Sequence, residues 1–388
     1  MRVGLVVPGG VDRSGRERVI PALLRIVEAL ALRHEVVVFA LGQEEDPGEW
    51  PLLGARVVDL GKPARFPVPG LGILSRARQL AAAIRRNGPF DLLHAFWASP
   101  CGFLAVAAAR GITPVVVSLA GGELAAIPSI GYGCGLVRTE RAKVAIALRC
   151  AAAVTAASGP MVRAARAHGA AAVLVPLGVD AAGFLPSAPR AGGDPLRLLH
   201  LGSLNRVKDP GTLLRAFALA RSRFPALRLD LVGEDNLAGE AQVLAARLGL
   251  GDSATFHGIL AQDAVRPFLS RADLLVVSSL HEAGPVALVE AAACGVPTVG
   301  TAVGHVAEGD GIRSLAVPAG DAGALAGAIV ALATDDALRS RMGDAALAWA
   351  RENDAARTAA RFEELYRSVV RGSGALSEGA PRPSAPGP

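Results

Sequence analysis

Short runs of apolar and β-branched residues alternate with longer amphipathic or alanine-rich segments along the whole chain of 388 residues. This alternation is typical of repeated strand–helix units, which build parallel sheets. In the first half we predict strands at Val3–Val7, Val36–Leu41, Leu92–Ala95, Val115–Leu119, Val154–Ala157 and Val173–Pro176. In the second half we predict strands at Leu198–Leu201, Leu229–Val232, Ala254–His257, Leu274–Ser278, Thr298–Gly300 and Leu315–Val317. The pattern therefore predicts an α/β fold with two sheets.

A stretch without periodicity separates the two sets of strands. Residues 186–195 are rich in proline, glycine and alanine, which indicates a linker. We expect one domain over 1–185 and a second over 196–345. Helical periodicity covers 321–333 and 335–371, and the segment 372–388 has the composition of a disordered tail.

Cysteine spacing and hydropathy limit the class of protein. Four scattered cysteines without a Cys-x-x-Cys pair indicate neither a zinc site nor a disulfide framework. No signal-peptide pattern follows the first strand, and charged residues interrupt the longest apolar stretches before they reach membrane-spanning length. We expect a cytoplasmic protein that does not cross a membrane.

The most informative stretch runs from Ser278 to Pro297 and reads SSLHEAGPVALVEAAACGVP. Pro285 suits a first helical turn and Gly295 the residue after a last turn, so a helix should begin just after Glu282. Its unpaired N–H groups would form a phosphate site at the carboxyl edge of a parallel sheet. Glu290 interrupts this apolar helix and needs hydrogen-bond donors. Ribose hydroxyls would serve, and a capping or salt-bridging glutamate is the alternative.

A second candidate site lies between Leu199 and Pro210. The strand delivers Gly202 at its carboxyl end, and Asp209 with Pro210 opens the next helix. Arg206 and Lys208 lie in the loop between, where cations can stabilise a leaving diphosphate. Lys208 is one of only three lysines in the chain, which gives its position more weight than a generic basic residue would have.

The glutamate pair, followed by Ala-x-x-Cys-Gly-Val-Pro, resembles the donor-site motif of the family 4 glycosyltransferases, which are retaining enzymes of the GT-B fold. Further similarity covers most of the chain to about residue 370, including the segments Val154–Ser158, Val175–Phe184 and Leu315–Asp321. Leu177 stands where this family usually has asparagine.

The resemblance implies two Rossmann-like domains that face a cleft, with helices over 346–371 that cross back to the N-terminal, acceptor-binding domain. It also implies a metal-independent transfer from a nucleotide-diphosphate sugar of the UDP or GDP type, with no other cofactor. Glu282 would contact the donor sugar, Lys208 the diphosphate and Glu290 the ribose. The diphosphate would also meet the backbone around Gly284, Pro285, Val286, Ala287 and Leu288.

Two positions depart from the family pattern. Ser203 stands where an arginine often follows the glycine, so Arg206 is the candidate second catalytic cation, with an exposed loop residue as the alternative. Ala120 replaces a histidine that contacts the donor sugar. Glu123 or another loop residue is the candidate substitute, unless the donor sugar itself differs.

Two further features carry weaker chemical signals. Gly9, Gly10 and Gly15 lie in a loop that resembles the glycine-rich loop near the family's diphosphate and acceptor, although a tight strand-to-helix turn also requires glycine. His94 ends a strand that should face the cleft, and a hydrogen-bonded histidine near the core is the alternative.

Charge indicates the kind of acceptor. Residues 1–190 carry a net charge of +8 and residues 191–388 a net charge of −3. We therefore expect an anionic acceptor, either a phosphate-bearing lipid at the inner membrane surface or a small phosphorylated molecule. An arginine-rich solvated surface is the alternative, and no nucleic-acid partner is predicted.

Other function classes fit less well. A catalytically silent sugar-nucleotide binding protein would explain Ala120, and a GT-B epimerase or phosphorylase would share the fold. A phosphorylase of the pyridoxal type needs a Schiff-base lysine, whereas Lys208 is assigned to phosphate. The missing Gly-x-Gly-x-x-Gly disfavours a dehydrogenase.

Overall fold

Two sheets organise the chain, one in each half. The computed structural model describes residues 1–63, 71–184 and 195–378. The strands of the first half are β1 (Arg2–Val7), β2 (Glu35–Ala40), β3 (Gly48–Leu52), β4 (Ala55–Asp59), β5 (Leu92–Phe96), β6 (Val115–Leu119), β7 (Ala153–Ala156) and β8 (Ala172–Leu174). Those of the second half are β9 (Leu196–Leu201), β10 (Leu227–Val232), β11 (Ala254–Gly258), β12 (Leu274–Val277), β13 (Thr298–Thr301) and β14 (Ser314–Val317).

Helices connect these strands. They are α1 (Pro21–Ala31), α2 (Leu71–Asn87), α3 (Phe103–Ala109), α4 (Arg138–Cys150), α5 (Gly159–Ala167), α6 (Pro210–Arg223), α7 (Glu240–Arg247), α8 (Gln262–Leu269), α9 (Val286–Ala293), α10 (Gly304–Glu308), α11 (Ala322–Thr334), α12 (Asp336–Glu352) and α13 (Ala355–Glu378). The first sheet has the order β3-β4-β2-β1-β5-β6-β7-β8, and the second β11-β10-β9-β12-β13-β14. The two-sheet α/β prediction is confirmed.

All twelve predicted strands are present, and only the hairpin of β3 and β4 was missed. β3 is the antiparallel edge strand of its sheet and contains Pro51. A proline lacks the N–H that a central strand must donate, so this segment does not have the pattern of a buried strand. The parallel strands were predictable because both of their faces are covered, which requires nearly continuous apolar runs.

The order of the second sheet determines where its loops meet. β9 and β12 are parallel neighbours, with Leu198 beside Leu274 and Leu199 beside Leu275. Their carboxyl ends therefore lie at one edge of the sheet. The loop 202–209 follows β9 and the loop 278–285 follows β12, so the two predicted donor segments come together.

The chain returns to the first half after α12. Helix α12 packs against α9, so the predicted boundary at 345 falls inside a helix of the second half. The Ala355 N–H donates to Val179 O at 3.0 Å. A Cβ at Gly178 would lie 2.1 Å from Asn353 O, so the crossing needs glycine there.

The terminal helix differs from its predicted limits. Asp354 caps it by accepting the Arg357 N–H at 2.7 Å, which breaks the helix predicted over 335–371 into two. Helix α13 then packs on α1 and continues to Glu378, so regular structure extends beyond 371, where we expected a tail. Residues 379–388 and the linker prediction for 186–194 lie outside the described residues.

Candidate functional site

Lys208 and Glu282 form an ion pair at the carboxyl edge of the second sheet. Lys208 Nζ donates to Glu282 Oε1 at 2.5 Å, and Ser279 Oγ donates to the same oxygen at 2.6 Å. The side chains are only 25% and 12% exposed, so the pair is partly shielded from water. Sequence reasoning assigned the two residues to one site without predicting their contact.

Hydrogen bonds join the two loops that carry this pair. The Leu280 N–H donates to Val207 O at 2.8 Å, and Ser278 Oγ donates to Lys208 O at 2.7 Å. Asn205 Oδ1 accepts the N–H groups of Val207 and Lys208 at 3.1 and 3.0 Å. The backbone of Lys208 is therefore held from two sides, and its side chain is delivered to a defined position.

Helix α9 begins at Val286, a few residues later than the sequence predicted, and Pro285 precedes it in an extended conformation. The residues before this helix contact the first half of the chain, because Ser158 Oγ donates to Ala283 O. Within the described ranges, the N–H groups of Gly284, Val286 and Ala287 have no protein acceptor. Unpaired N–H groups at the start of a helix can bind an anion.

Glu290 is buried on α9 with 8% exposure. Burial raises the pKa of Glu290 to about 7, opposed by a hydrogen bond from Gln262 and by the guanidinium groups of Arg266 and Arg25. Glu290 lies in the middle of the helix, so it does not cap it, and no ion pair to it within 4.0 Å occurs among residues 1–63, 71–184 and 195–378. The carboxyl faces a small pocket lined by Pro21, Arg25, Val179, Phe184, Gln262 and Arg266.

The glycine-rich loop folds back on itself before α1. The Ile20 N–H donates to Gly10 O at 2.9 Å, and the Gly15 N–H donates to Asp12 O at 2.9 Å. Gly10 has φ of 77°, and a Cβ there would lie 2.5 Å from Ile20 Cγ1. Turn geometry thus accounts for Gly10, while Gly9 lies beside Gln43. The loop leads into the start of α1, which lines the Glu290 pocket.

Arg206 and Ser203 lie in the same loop as Lys208. The Arg206 guanidinium is 3.7 Å from Glu240, and both side chains are 65% exposed. In this structure Arg206 is therefore an exposed loop residue, which is the alternative stated for it. Ser203 directly follows Gly202, and Gly202 itself has φ of 154° with its α-carbon facing the Lys208 side chain.

His94 is a core residue. It is fully buried, its Nδ1 lies 2.6 Å from the Tyr366 hydroxyl, and its Nε2 lies 2.7 Å from Ser118 Oγ. Burial lowers the pKa of His94 to about 3, so the ring is neutral at physiological pH. Its proposed cleft role is therefore not supported, and the side chain instead ties β5 to α13.

Glu123 organises the loop in which the family histidine is missing. Its carboxylate accepts the N–H groups of Ala98, Ala120 and Gly121 at 3.3, 3.1 and 2.7 Å. Burial raises the pKa of Glu123, while these backbone donors lower it. Because both oxygens are engaged inside the first half, Glu123 positions the loop and is not the free substitute that we considered for the histidine.

Comparison with known proteins identifies the family. Residues 19–178 match a model described as a glycosyl transferase 4-like domain, and residues 195–335 match glycosyl transferases group 1. A D-inositol 3-phosphate glycosyltransferase of Streptomyces avermitilis is 30% identical over 382 residues, covering 87% of this chain and 80% of that protein. The chain belongs to the family 4 glycosyltransferases.

Other relatives agree with this assignment. A protein of the same name from an Arthrobacter species is 28% identical over 94% of this glycosyltransferase and 92% of its own length. Sucrose-phosphate synthase of Thermosynechococcus elongatus superposes with a TM-score of 0.78 at 20% identity, over 96% of this chain and 100% of that one. Anabaena HepE, solved with UDP-glucose, gives 0.71 at 20% identity, over 95% and 100%. The fold of this glycosyltransferase is therefore GT-B, as predicted.

Three aromatic side chains of this glycosyltransferase escaped the sequence analysis. Trp97 and Tyr132 flank the loop of Glu123, and His281 reaches it from the second half. The pair Gly121-Gly122 and the position of His281 directly before Glu282 were the available signals. These two signals do not indicate that Trp97, Tyr132 and His281 meet at one loop, because the three residues are far apart in the sequence.

Proposed function

We propose that this glycosyltransferase moves a hexose from a UDP or GDP sugar to an anionic acceptor, with retention of the anomeric configuration and without a metal ion. The observation that carries the proposal is the Lys208–Glu282 pair beside the unpaired N–H groups at the start of α9. A cation and backbone donors lie together where a diphosphate leaving group would develop charge.

Each residue then has a separate task. Lys208 and the N–H groups of Gly284, Val286 and Ala287 stabilise the diphosphate as its bond to the sugar breaks. Glu282 binds hydroxyls of the donor sugar, and its pairing with Lys208 holds the ammonium ready in the unliganded protein. Glu290 accepts hydrogen bonds from the ribose hydroxyls. Glu290 lines a pocket and forms no ion pair within the described residues, which supports this task.

Two observations support the donor and the stereochemistry. The structurally similar Anabaena HepE was solved with UDP and with UDP-glucose, which favours a UDP sugar over a GDP sugar. The resemblance of the glutamate pair to the family motif supports retention. A cationic side chain and helix N–H groups can provide the charge stabilisation that a divalent cation supplies in other enzymes.

The acceptor is proposed from charge. The outer face of α4 exposes Arg138, Arg141 and Arg149, and none of them forms an ion pair within the part of the chain that the structure describes. Val137 and Ile146 are 51% and 45% exposed beside them. The relatives named for D-inositol 3-phosphate favour a small phosphorylated acceptor, whereas the apolar members of this face favour a phosphate-bearing lipid.

If the acceptor is a phosphate-bearing lipid, the protein must bind peripherally at the inner surface of the membrane. In the described residues no helix is long and apolar enough to span a bilayer. Contact with lipid would therefore use the basic face of α4, and each arginine near an anionic surface would contribute about 1 kcal/mol.

A panel of nucleoside diphosphates and sugar nucleotides tests the proposal. A ligand at about 100 times its dissociation constant adds about 2.7 kcal/mol to the free energy of unfolding, which a thermal shift detects. The tightest sugar nucleotide should then be turned over, with release of nucleoside diphosphate in the presence of excess chelator. Binding without turnover would instead favour a silent binding protein, and a strict need for a divalent cation would remove metal independence.

A further inference from the structure

Two glycines fit between aromatic rings in the loop that Glu123 holds. A Cβ at Gly121 would lie 2.8 Å from Trp97 Nε1, and a Cβ at Gly122 would lie 2.7 Å from the Tyr132 hydroxyl oxygen. Only glycine permits such close approach. The indole N–H of Trp97 and the O–H of Tyr132 have no hydrogen-bond partner within the described ranges. Both donors therefore remain available to a ligand beside this loop.

His281 crosses from the second half to the same loop. Its Nε2 lies 3.1 Å from Gly121 O, and its ring centroid is 5.8 Å from that of Tyr132. A carbonyl oxygen only accepts, so Nε2 carries the hydrogen in this contact. In the neutral ring Nδ1 is then an acceptor, and no protein group among the described residues reaches it.

The imidazole of His281 lies next to the residues proposed to bind the sugar donor. His281 directly precedes Glu282, whose carboxylate is paired with Lys208. Burial raises the pKa of Tyr132 to about 12, and the negative charges of Glu282 and Glu123 act in the same direction. The ring of His281 therefore lies between the first-half loop and the residue proposed to bind the donor sugar.

We infer that His281 is a positioning and specificity residue for the donor sugar and takes over the task of the family histidine that Ala120 replaces. This inference rests on the proposed function. The imidazole comes from the second half, from the same loop as Glu282, whereas Ala120 belongs to the first half. The contact of its Nε2 with Gly121 O therefore forms only when the two halves are closed. Gly121 O orients the ring, and Nδ1 is presented to a sugar hydroxyl, which donates to it.

The test compares affinities for a nucleotide with and without its sugar. His281→Phe keeps a ring beside Tyr132 but has no nitrogen, whereas His281→Gln keeps a donor and an acceptor. His168→Phe, at an exposed histidine of the first half, is the matched control. Calorimetry with UDP and UDP-glucose, or with GDP and GDP-mannose if the wild type prefers them, gives the ratio of the two dissociation constants for each variant.

We expect His281→Phe to weaken sugar-nucleotide binding by about five- to tenfold while nucleoside diphosphate binding changes less than twofold. His281→Gln should recover most of the loss, and His168→Phe should match the wild type. The inference is overturned if His281→Phe leaves the ratio unchanged or weakens both ligands equally, because the ring would then act on the fold or on closure alone. A wild type that binds no sugar nucleotide would overturn the proposed function itself.

Discussion

Lys208 Nζ donates to Glu282 Oε1 at 2.5 Å, and the two residues lie in neighbouring loops that hydrogen bonds hold together. Neither charge is fully solvated. A diphosphate that binds beside α9 would offer Lys208 a second anionic partner, while Glu282 would become available to the sugar. On the proposed function, the pair would thus join the residue that meets the diphosphate to the residue that meets the sugar.

Removal of the Lys208 charge should slow turnover more than it weakens binding. Lys208→Met keeps most of the side-chain volume, and we expect kcat to fall by about 10²-fold, because charge on the leaving diphosphate grows in the transition state. The dissociation constant of the nucleoside diphosphate should rise by less than tenfold. Steady-state kinetics measures kcat, and calorimetry measures the dissociation constant. A normal kcat in the variant would show that Lys208 has no catalytic role.

Arg206 is predicted to be the weaker of the two cations. Its exposed guanidinium lies near Glu240, so it must move to reach the diphosphate. We expect Arg206→Ala to lower kcat by less than tenfold, and Glu240→Ala to leave kcat unchanged, because exposed ion pairs contribute little. If Arg206→Ala is indistinguishable from the wild type in kcat, Arg206 has no part in the reaction.

Glu290→Gln should separate stability from binding. The folded-state pKa of about 7 lies above the ordinary value of 4.5, so the ionised carboxylate disfavours folding, and stability falls as pH rises from about 4.5 to 7. At pH 8 the variant should therefore be more stable by on the order of 1–3 kcal/mol. Its affinity for nucleoside diphosphate should nevertheless fall by about tenfold, because an amide replaces the carboxylate acceptor.

The pH dependence of the wild type provides the control for Glu290. Protonation of the carboxyl below pH 7 should weaken nucleoside diphosphate binding in calorimetry, whereas Glu290→Gln should lose this dependence. Equal affinity of the variant and the wild type at pH 8 would contradict the ribose assignment.

Tyr366→Phe should affect stability alone. The variant leaves Nδ1 of the buried His94 without its partner, and an unsatisfied buried group of this kind costs about 1–3 kcal/mol. Urea unfolding measures the loss, and the dissociation constant of the donor serves as the control because both residues lie in the core. A large change in donor affinity without a loss of stability would instead support a role for His94 in the cleft.

The basic face of α4 should bind anionic membranes. Replacement of Arg138, Arg141 and Arg149 by Gln should lower the affinity for vesicles that contain phosphatidylserine by roughly 10²-fold at low salt. The matched control replaces three exposed arginines of the second half, Arg223, Arg247 and Arg341. Wild-type binding should fall steeply as salt rises. No wild-type binding at low salt would leave a small phosphorylated molecule as the acceptor.

Local patterns predicted most of the fold and part of the site. Buried parallel strands need apolar runs, and Pro210 and Gly295 mark a helix start and a helix end that the structure confirms. The break at Asn353 was missed because the apolar period continues on both sides of it. The contacts of His94 with Tyr366 and of His281 with Gly121 join residues far apart in the chain, and no local pattern encodes them.

The anomeric configuration of the sugar first released from the donor distinguishes retaining from inverting transfer at the Lys208–Glu282 site. With water as the acceptor, proton NMR of UDP-glucose hydrolysis follows the free sugar before its anomers equilibrate. Retaining, metal-independent transfer predicts that the wild type releases α-glucose first with chelator present. Lys208→Met and Glu282→Gln should both slow this release strongly. Initial release of β-glucose, or unchanged activity in both variants, would contradict retaining transfer at the Lys208–Glu282 site.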